Sequence, residues 1–530
     1  MTQPTPSIAP RGAWYRRWRW PGPGRIEWVL NAVAVAIALY WLAGLAMAHV
    51  RIVAQPGPQE YNEPAIWHTT WLLHHGRNPY TIEELPGSAY CFGPLYNYVV
   101  LALEPLLGID YPAHRMVVLF FLAGALALVV YTMRKAGAGL GVALLSAVFY
   151  YWMSLGNIEI TARPDTMGLC FFMLGLFVPW ACGYTRWSTI FGLLCAVVAF
   201  NCKSYFAVAG CGTLLCHFLV RSRREAIWFG VGFFALVGLT FALSCHYFPY
   251  FFIETVIVQR GGAAVNDRDD ISLMHTALLV QRGWPYLALM LLGLGGWLWR
   301  FWRRRQLATE PAARAEERAY LGLGVTFYLM LVLVLAYMGR NAGAFFTYHL
   351  HLLFPLMFML AARAATHPWV RVAFAAVMIG MVTTWVEVPP VPDSSAAYGR
   401  LRQMIGNSQQ EILGIASLTD IFDRNGRRVL HDGNTMFMGF AFGDGGIERD
   451  PMIAALAKNY ERTEGEVLQK VADRTYGIVF TEFDDPYFCS PQQLKEGYEK
   501  FEQIEYYTYF GHSPIWAWRP KAPKQPGTGG

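Results

Sequence analysis

The stretch LGNIEITARPDTMGLCFF, residues 155–172, joins the end of one long apolar segment directly to the start of another. Pro164 can occupy the first position of a helix, where its missing N–H leaves no hydrogen bond unmade, so Asp165 is expected in the first turn. A carboxylate in that turn interacts favourably with the helix dipole, and Asp165 could serve only to start the helix. Arg163 and Asp165 are nevertheless an ionisable pair at membrane depth, which is costly and therefore marks a candidate functional site.

The composition of the whole chain is that of an integral membrane protein. Hydrophobic residues make up 55% of the 530 residues and charged residues only 15%. Runs of about 20 apolar residues recur along most of the chain and are long enough to cross a bilayer as helices. The sequence therefore predicts a multi-pass α-helical membrane protein. Membrane lipids are among its predicted partners. No nucleic acid partner is predicted.

The basic clusters predict the orientation of the chain. Residues 1–26 are basic and rich in proline, and the apolar run after them lacks a small-residue cleavage site, so we expect it to remain as an anchor. The positive-inside rule places this N-terminal segment in the cytoplasm and the loop 51–93 outside. The short apolar run 94–108 contains Glu104 and Pro105. If this run is re-entrant, the later arginine clusters all face the cytoplasm, so we predict that it dips into the membrane without crossing.

The remaining apolar segments alternate across the membrane and predict about eleven transmembrane helices within a domain at 27–389. The predicted crossings are 28–50, 113–133, 138–155, 165–182, 187–201, 203–220, 226–247, 283–300, 319–338, 347–365 and 369–386. This topology places the Arg163–Asp165 pair, Lys203, the loop 248–282 and GRNAG at 339–343 on the external side, where they face the loop 51–93.

One segment of the external loop has helical periodicity. NEPAIWHTTWLLHHG, residues 62–76, has apolar residues at helical spacing and ends in glycine. It predicts an amphipathic helix that lies on the membrane surface. Its histidines, His68, His74 and His75, are expected at that interface rather than in catalysis.

Beyond Pro389 and Pro390 the sequence changes to the pattern of a soluble domain. We predict strands at 427–433 and 476–483, and helices at 451–461, 465–474 and 491–501. Strands that alternate with helices favour a small C-terminal α/β domain over 390–520, which the topology places in the periplasm. Residues 521–530 are expected to form a disordered tail. An inverted pair of interrupted helices, typical of transporters, is not evident in the sequence.

The predicted topology brings both carboxylates and cations to the external interface. These polar residues are Glu60, Glu63, Tyr80, Tyr90, Arg163, Asp165, Lys203, Arg340, Asn341, Tyr348, His349 and His351. A carboxylate can take a proton from an incoming hydroxyl, and cations can hold a phosphate that leaves. The mixture indicates chemistry on an anionic, lipid-bound substrate.

Several tracts resemble the GT-C superfamily of integral membrane glycosyltransferases. An acidic residue soon after the first span is followed by a helix that ends in Gly and an Asn-Pro-Tyr at 78–80, and then by YCFGPLYNYVVLAL at 90–103. ARPDTMGLCFFMLGL at 162–176 precedes NCKSYF at 201–206, which is similar to a Lys-Gln tract of bacterial relatives, and GRNAGAFFTYHLHLLFP at 339–355 is similar to their Asn-Tyr-Phe-Leu-Glu tract. The similarity is strongest to the protein mannosyltransferase and lipid A aminoarabinose transferase branch. Ser204 stands where Gln is usual, and His351 where Glu is usual.

The resemblance implies an activity, partners and a location. It implies a bacterial inner-membrane enzyme that transfers a sugar from a polyprenyl-phosphate donor to an acceptor hydroxyl on the periplasmic side, with inversion at the anomeric carbon. The acceptor could be a lipid-linked glycan, a polysaccharide or a protein, and the sugar a hexose or a pentose. No cofactor is required, no metal ligands are assigned, and a role for a divalent cation stays open.

We assign roles to the interface residues as follows. Glu63 is the predicted general base because it opens the external helix, and Glu60 is the alternative base, while Asp165 shares the base role or positions the acceptor. The predicted ligands of the donor phosphate are Lys203, Arg163 and Arg340. The predicted substrate-binding residues are Tyr80, Tyr90, Asn341, Tyr348, His349 and His351.

A transporter or flippase of a lipid-linked sugar is the alternative function. Its path would need the same charges, but transporters of this kind place their site near the middle of the membrane. Charges gathered at one interface therefore favour the enzyme.

Overall fold

The computed structural model describes most of the chain, with gaps. The described residues are 25–60, 62–82, 84, 90, 92–155, 160–258, 318–327, 368–427, 451–482, 489–508, 511–512 and 514–522, together with scattered positions between 291 and 365. The predicted strand at 427–433 and the predicted tail at 521–530 lie almost wholly outside these residues, as does the tract GRNAG at 339–343.

The described helices of the apolar part begin and end within a few residues of the predicted segments. They are α1 (Arg25–Val53), α2 (Glu63–His74), α3 (Leu95–Leu107), α4 (Tyr111–Ala136), α5 (Leu140–Leu155), α6 (Asp165–Ala181), α7 (Arg186–Cys202), α8 (Val208–Val220), α9 (Arg223–Tyr247) and α10 (Pro368–Trp385). A 3₁₀ turn at Ser204–Ala207 precedes α8, and a π-helix at Ile253–Val258 follows α9.

Three of these helices, α1, α4 and α9, are long and apolar enough to cross a membrane. At about 1.5 Å per residue they exceed the roughly 30 Å of a bilayer's hydrocarbon core. The other apolar helices are shorter. The structure is therefore that of a helical membrane protein, and the number of about eleven crossings stays a prediction.

The helices α6 and α7 form an antiparallel hairpin that places two charged residues at one end. The connection between them contains Gly183 and Tyr184 at positive φ, +63° and +56°. The helices approach closely because both carry glycine at the crossing: a Cβ on Gly192 would lie 2.4 Å from Pro179 Cγ and 3.1 Å from the carbonyl oxygen of Gly175. Asp165 at the start of α6 and Lys203 just after α7 therefore lie at the same end of the hairpin.

The predicted helix at 62–76 forms as α2, but its surroundings differ from those expected. Almost every residue of α2 between Glu63 and Leu72 is buried. The helix packs against α3, α4 and a helix of the C-terminal segment. Its polar residues are therefore covered by protein rather than exposed, and that the helix lies on the membrane surface stays a prediction.

The run predicted to be re-entrant is the short helix α3. Its 13 residues span about 20 Å, less than the hydrocarbon thickness, and Pro105 lies inside it. That it dips without crossing stays a prediction.

In its described residues, the C-terminal segment forms a mixed sheet and four helices. The helices are α11 (Ser395–Asn407), α12 (Thr419–Arg424), α13 (Pro451–Ala472) and α14 (Pro491–Gly497), and a 3₁₀ turn (Ala416–Leu418) precedes α12. The strands are β1 (Ile412–Leu413), β2 (Ile478–Glu482), β3 (Tyr498–Ile504), β4 (Tyr507–Thr508), β5 (Gly511–His512) and β6 (Ile515–Pro520). One sheet has the order β1-β2-β6-β3, with β1 parallel to β2 and the other pairs antiparallel; β4 and β5 form a separate hairpin.

The sequence predictions for this segment are partly correct. The strand predicted at 476–483 is confirmed as β2. The two helices predicted at 451–461 and 465–474 are one continuous helix, α13, and Gly465 lies inside it, where a Cβ would meet nothing within 4 Å. The helix predicted at 491–501 ends at Gly497, and β3 follows with an alternation of buried and exposed side chains that is typical of a strand.

The C-terminal segment rests directly on the start of the loop 51–93. Gln59 Nε2 lies 3.4 Å from Ser394 Oγ, and the backbone N–H of Ser394 donates to Gln55 Oε1 at 3.1 Å. Tyr506 donates its hydroxyl proton to the carbonyl oxygen of Pro58 at 2.9 Å. The two segments therefore lie on the same side of the helical body.

Candidate active site

Four charged side chains form a continuous chain at the end of the helical body where α6 begins. Arg163 donates from Nη1 to Glu60 Oε1 at 3.1 Å and from Nε to Asp165 Oδ2 at 3.1 Å. Lys203 donates from Nζ to the other oxygen of Asp165 at 2.5 Å. We call Glu60, Arg163, Asp165 and Lys203 the charge chain. Its carboxylates and cations alternate, so its formal charge is balanced.

Each member of the charge chain lies at or close to the end of a helix. Glu60 lies between α1 and α2, Arg163 and Asp165 lie at the start of α6, and Lys203 directly follows α7. Pro164 is the cap of α6, one position earlier than predicted, and Asp165 is the first helical residue. Because the described bonds of the Asp165 carboxylate go to two cations, helix initiation does not account for it.

The charge chain is nearly closed to solvent, except at one end. Glu60, Arg163 and Asp165 are 2–6% exposed, whereas the Lys203 side chain is 14% exposed. Lys203 is therefore the member of this chain that an incoming group reaches first.

Burial raises the pKa of Glu60 to about 7, although the Arg163 charge and the Asn62 backbone N–H partly oppose the shift. Its Oε1 accepts from Arg163 and from Asn62 Nδ2, at 3.1 Å each, and its Oε2 accepts from Asn62 N at 3.0 Å. A carboxylate offers about four acceptor positions, so within the described residues Oε2 keeps one for a further proton donor. A group with a pKa near neutrality and an accepting position suits a general base.

Glu63 occupies a different environment, in a fully buried ion pair with Arg115. Arg115 donates from Nε to Glu63 Oε1 at 2.8 Å and from Nη2 to Oε2 at 2.5 Å. The Glu63 carboxylate also accepts from the backbone N–H of Gln59 at 2.5 Å and of Ala162 at 2.7 Å. These four bonds use its acceptor positions, so this geometry favours Glu60 over Glu63 as the base.

The Arg115–Glu63 pair fixes the backbone next to two members of the charge chain, Glu60 and Arg163. Gln59 immediately precedes Glu60, and Ala162 immediately precedes Arg163. Arg115 uses its remaining donors on the carbonyl oxygens of Ile52 (3.3 Å), Gln55 (2.6 Å) and Gly57 (2.8 Å). The pair therefore joins α1, α2, α4 and the segment before α6, and its described contacts are those of a structural clasp.

The other predicted site residues fall into two groups. Tyr80 and Tyr90 are buried: the Tyr80 hydroxyl donates to the carbonyl oxygen of Phe92 at 2.5 Å, and the Tyr90 hydroxyl donates to Asn97 Oδ1 at 2.6 Å. Their substrate-binding role stays a prediction. The second group, Arg340, Asn341, Tyr348, His349 and His351, lies outside the described residues.

Three residues near the site were missed by the sequence analysis. Arg115 lies in the predicted span 113–133, where an ionisable residue was a visible signal. Glu254 interrupts the apolar tract FFIETVIV, residues 251–258, and accepts the backbone N–H of Tyr90 at 2.8 Å. Phe92 has no signal in the sequence, but its ring lies beside both cations of the charge chain.

A second polar cluster joins α2 to the C-terminal segment. His68 Nδ1 lies 2.6 Å from Asp423 Oδ2, and His68 Nε2 lies 3.5 Å from Glu84 Oε2. Burial alone would lower the pKa of His68, but the hydrogen bonds and charges of Asp423 and Glu84 outweigh it and raise the pKa to about 9. Arg77 pairs with Glu84, and Arg424 pairs with Asp110.

The His68 cluster should make the stability of the protein depend on pH. A folded pKa of about 9 against about 6.5 in the unfolded chain corresponds to about 3 kcal/mol. This contribution is fully present below about pH 6.5 and is lost as the pH rises through about 9. The measurement is the free energy of unfolding in detergent across that window, for the wild type and His68→Asn. The exposed His75 supplies the control His75→Asn. Equal pH dependence in His68→Asn and the wild type would contradict the assignment.

Comparisons with known proteins give distant structural similarities. The structure is similar to crystal structures of ArnT from Cupriavidus metallidurans in the apo state (12% identity, 84% of this chain and 81% of that chain, TM-score 0.45) and bound to undecaprenyl phosphate (13%, 86% and 82%, TM-score 0.43). It is also similar to the Archaeoglobus fulgidus oligosaccharyltransferase tethered with an acceptor peptide (12%, 91% and 74%, TM-score 0.46). No protein-family model matches the sequence, and a search of curated proteins finds no match.

Proposed function

We propose that this chain is a GT-C-type membrane glycosyltransferase that moves a sugar from a polyprenyl-phosphate donor to an acceptor hydroxyl. The observation that carries the proposal is the charge chain, in which a carboxylate with a pKa near 7 lies next to two cations at one end of the helical body. The position supports an enzyme rather than a flippase, because a transport path would place such charges near the middle of the membrane.

The chemical step in this proposal is a direct displacement at the anomeric carbon. Glu60 takes the proton of the acceptor hydroxyl, whose oxygen forms a bond to the anomeric carbon. The bond from that carbon to the phosphate oxygen breaks, and polyprenyl phosphate leaves with the electron pair. The single displacement inverts the anomeric configuration. A positioned general base contributes about 10²–10⁴-fold to such a step.

The cations of the charge chain serve the leaving phosphate. Lys203 is the most exposed member of the chain and makes the first contact, and Arg163 offers planar donors suited to phosphate oxygens. Asp165 holds both cations side by side before the donor binds, because each of its oxygens accepts from one of them. As negative charge grows on the departing phosphate, the two cations stabilise it.

The proposal also covers the side of the membrane on which the site lies and the class of acceptor. The charge chain lies at the end of the helices to which the C-terminal domain is attached, and we assign that end to the periplasm of a bacterial inner membrane. The acceptor is a lipid-linked glycan, a polysaccharide or a protein.

The experiment that tests the function uses the purified chain in proteoliposomes. A panel of labelled hexosyl and pentosyl polyprenyl phosphates is supplied with a cell-envelope extract as the acceptor pool. We expect labelled sugar in the acceptor fraction and an equal amount of free polyprenyl phosphate. Movement of intact donor between leaflets without cleavage of the sugar–phosphate bond would establish the flippase instead.

The replacement Lys203→Ala should weaken binding of the donor. Hydrogen bonds to charged groups contribute about 1.5–3 kcal/mol, so the Kd for undecaprenyl phosphate should rise about tenfold to hundredfold. The measurement is binding of undecaprenyl phosphate to detergent-solubilised protein. A matched control is Lys135→Ala, because Lys135 lies near the far end of α4, next to the carbonyl oxygen of Ala181. Equal affinities in the two variants would remove Lys203 from the phosphate site.

A further inference from the structure

The side chain of Phe92 lies beside both cations of the charge chain. Lys203 Nζ is 4.8 Å from the centre of the Phe92 ring, and Arg163 Cζ is 5.6 Å from it. Both distances are within the roughly 6 Å at which a cation is attracted by the electron-rich face of an aromatic ring. Phe92 is 5% exposed, so water screens these contacts little.

The backbone of this segment is built for close approach to the end of α7. A Cβ on Gly93 would lie 2.4 Å from the carbonyl oxygen of Asn201, two residues before Lys203. Only glycine therefore lets the segment pass at this distance. This close approach places the Phe92 ring next to Lys203, the first residue after α7.

Two further contacts, made by Tyr80 and Tyr90, fix the position of Phe92. The Tyr80 hydroxyl donates to the Phe92 carbonyl oxygen, and the Tyr90 ring packs against the Phe92 ring at 5.6 Å. Tyr90 is itself held by Glu254, which accepts its backbone N–H. The Phe92 ring is thus held by its own segment and, through Tyr90, by the π-helix that follows α9.

We propose that Phe92 is a positioning residue that holds Lys203 and Arg163 side by side through cation–π attraction. Two cations in one buried site repel each other, and a third carboxylate beside Glu60 and Asp165 would relieve that repulsion only by giving the site a net negative charge. An aromatic ring attracts both cations and carries no net charge, so their charge stays available to an incoming phosphate. The role in donor binding rests on the proposed function, whereas the coupling of Phe92 to Lys203 does not.

The test of donor binding separates the ring's electrons from its volume. Leucine at this position fills similar space without an aromatic face, and fluorinated phenylalanines keep the shape while withdrawing electron density from the face. We expect Phe92→Leu to raise the Kd for undecaprenyl phosphate about twofold to thirtyfold, and 3,5-difluoro- and pentafluorophenylalanine to raise it in that order. The control is Phe251→Leu, since Phe251 is a buried ring that packs against Tyr80 and Phe241. If the affinity depends on side-chain volume and is unchanged by fluorination, the proposal is overturned.

A double-mutant cycle tests the coupling without any ligand. Phe92→Leu should lower the unfolding midpoint of the detergent-solubilised protein in the wild-type background, and by clearly less in a Lys203→Met background. Equal shifts in both backgrounds would overturn the cation–π role, whatever the donor assay gives. Failure of the wild type to bind undecaprenyl phosphate would contradict the proposed function, and the cycle alone would then decide the role of Phe92.

Discussion

Replacement of Glu60 by glutamine should lower the rate of sugar transfer by about 10²–10⁴-fold while the affinity for the donor changes little. Glutamine keeps the size of the side chain, and its oxygen can still accept from Arg163, but it cannot take a proton from the acceptor hydroxyl. The interaction lost is one made in the transition state, so kcat and kcat/KM should fall together. The measurement is transfer from a polyprenyl-phosphate sugar by purified, folded variants.

The matched control for this prediction is Glu84→Gln. Glu84 is also a buried carboxylate of the loop 51–93, but its described ion pairs are with His68 and Arg77, which are not members of the charge chain. It should transfer sugar at close to the wild-type rate. A Glu60→Gln variant within about threefold of the wild type would show that Glu60 is not the base.

Replacement of Arg115 by methionine should destabilise the protein by about 3–5 kcal/mol. The change leaves the Glu63 carboxylate buried without its cation, and it removes the donors that Arg115 directs at the carbonyl oxygens of Ile52, Gln55 and Gly57. The measurement is the free energy of unfolding in mixed detergent micelles.

The control for Arg115→Met lies on the same helix. Arg134→Met makes the same chemical change near the other end of α4, where the side chain donates to the nearby carbonyl oxygen of Ala138 and is partly exposed. We expect a smaller cost of about 1.5 kcal/mol there, because one partly exposed hydrogen bond from a charged group is lost. Similar losses in the two variants would contradict the structural role of the clasp.

The variant Glu63→Gln distinguishes the two candidate bases. In the proposed arrangement it weakens the clasp, so the loss of stability should accompany any loss of transfer. If transfer disappears while the free energy of unfolding stays that of the wild type, Glu63 is the base, as the sequence alone suggested.

Long apolar runs predicted the described helices of the apolar part well, because a segment that must satisfy its backbone inside a bilayer has few choices besides a helix. The same pattern gave no information on what covers a helix. The sequence of α2 suits a membrane surface, but in the structure its neighbours are α3, α4 and the C-terminal segment. Contacts of this kind join residues that are distant along the chain, as His68 and Asp423 do.

The polar residues of the site were partly visible in the sequence. Arg163, Asp165 and Lys203 stand out because charges next to apolar spans are costly, and the structure brings these three together with Glu60. The division of roles between Glu60 and Glu63 was not visible. It depends on which carboxylate meets Arg115 and the N–H of Ala162, and these partners lie 52 and 99 residues from Glu63.

The pH dependence of sugar transfer tests the central claim most directly. We propose measuring kcat/KM for the wild type from about pH 5 to about pH 9, because this quantity reports the ionisation of the free enzyme's base. Glu60 acts only when ionised, so kcat/KM should fall about tenfold per pH unit on the acid side of a midpoint near its pKa of about 7 and level off above it. The residual activity of Glu60→Gln should lack this acid limb. A wild-type profile with no acid limb near pH 7, or the same limb in Glu60→Gln, would contradict the account.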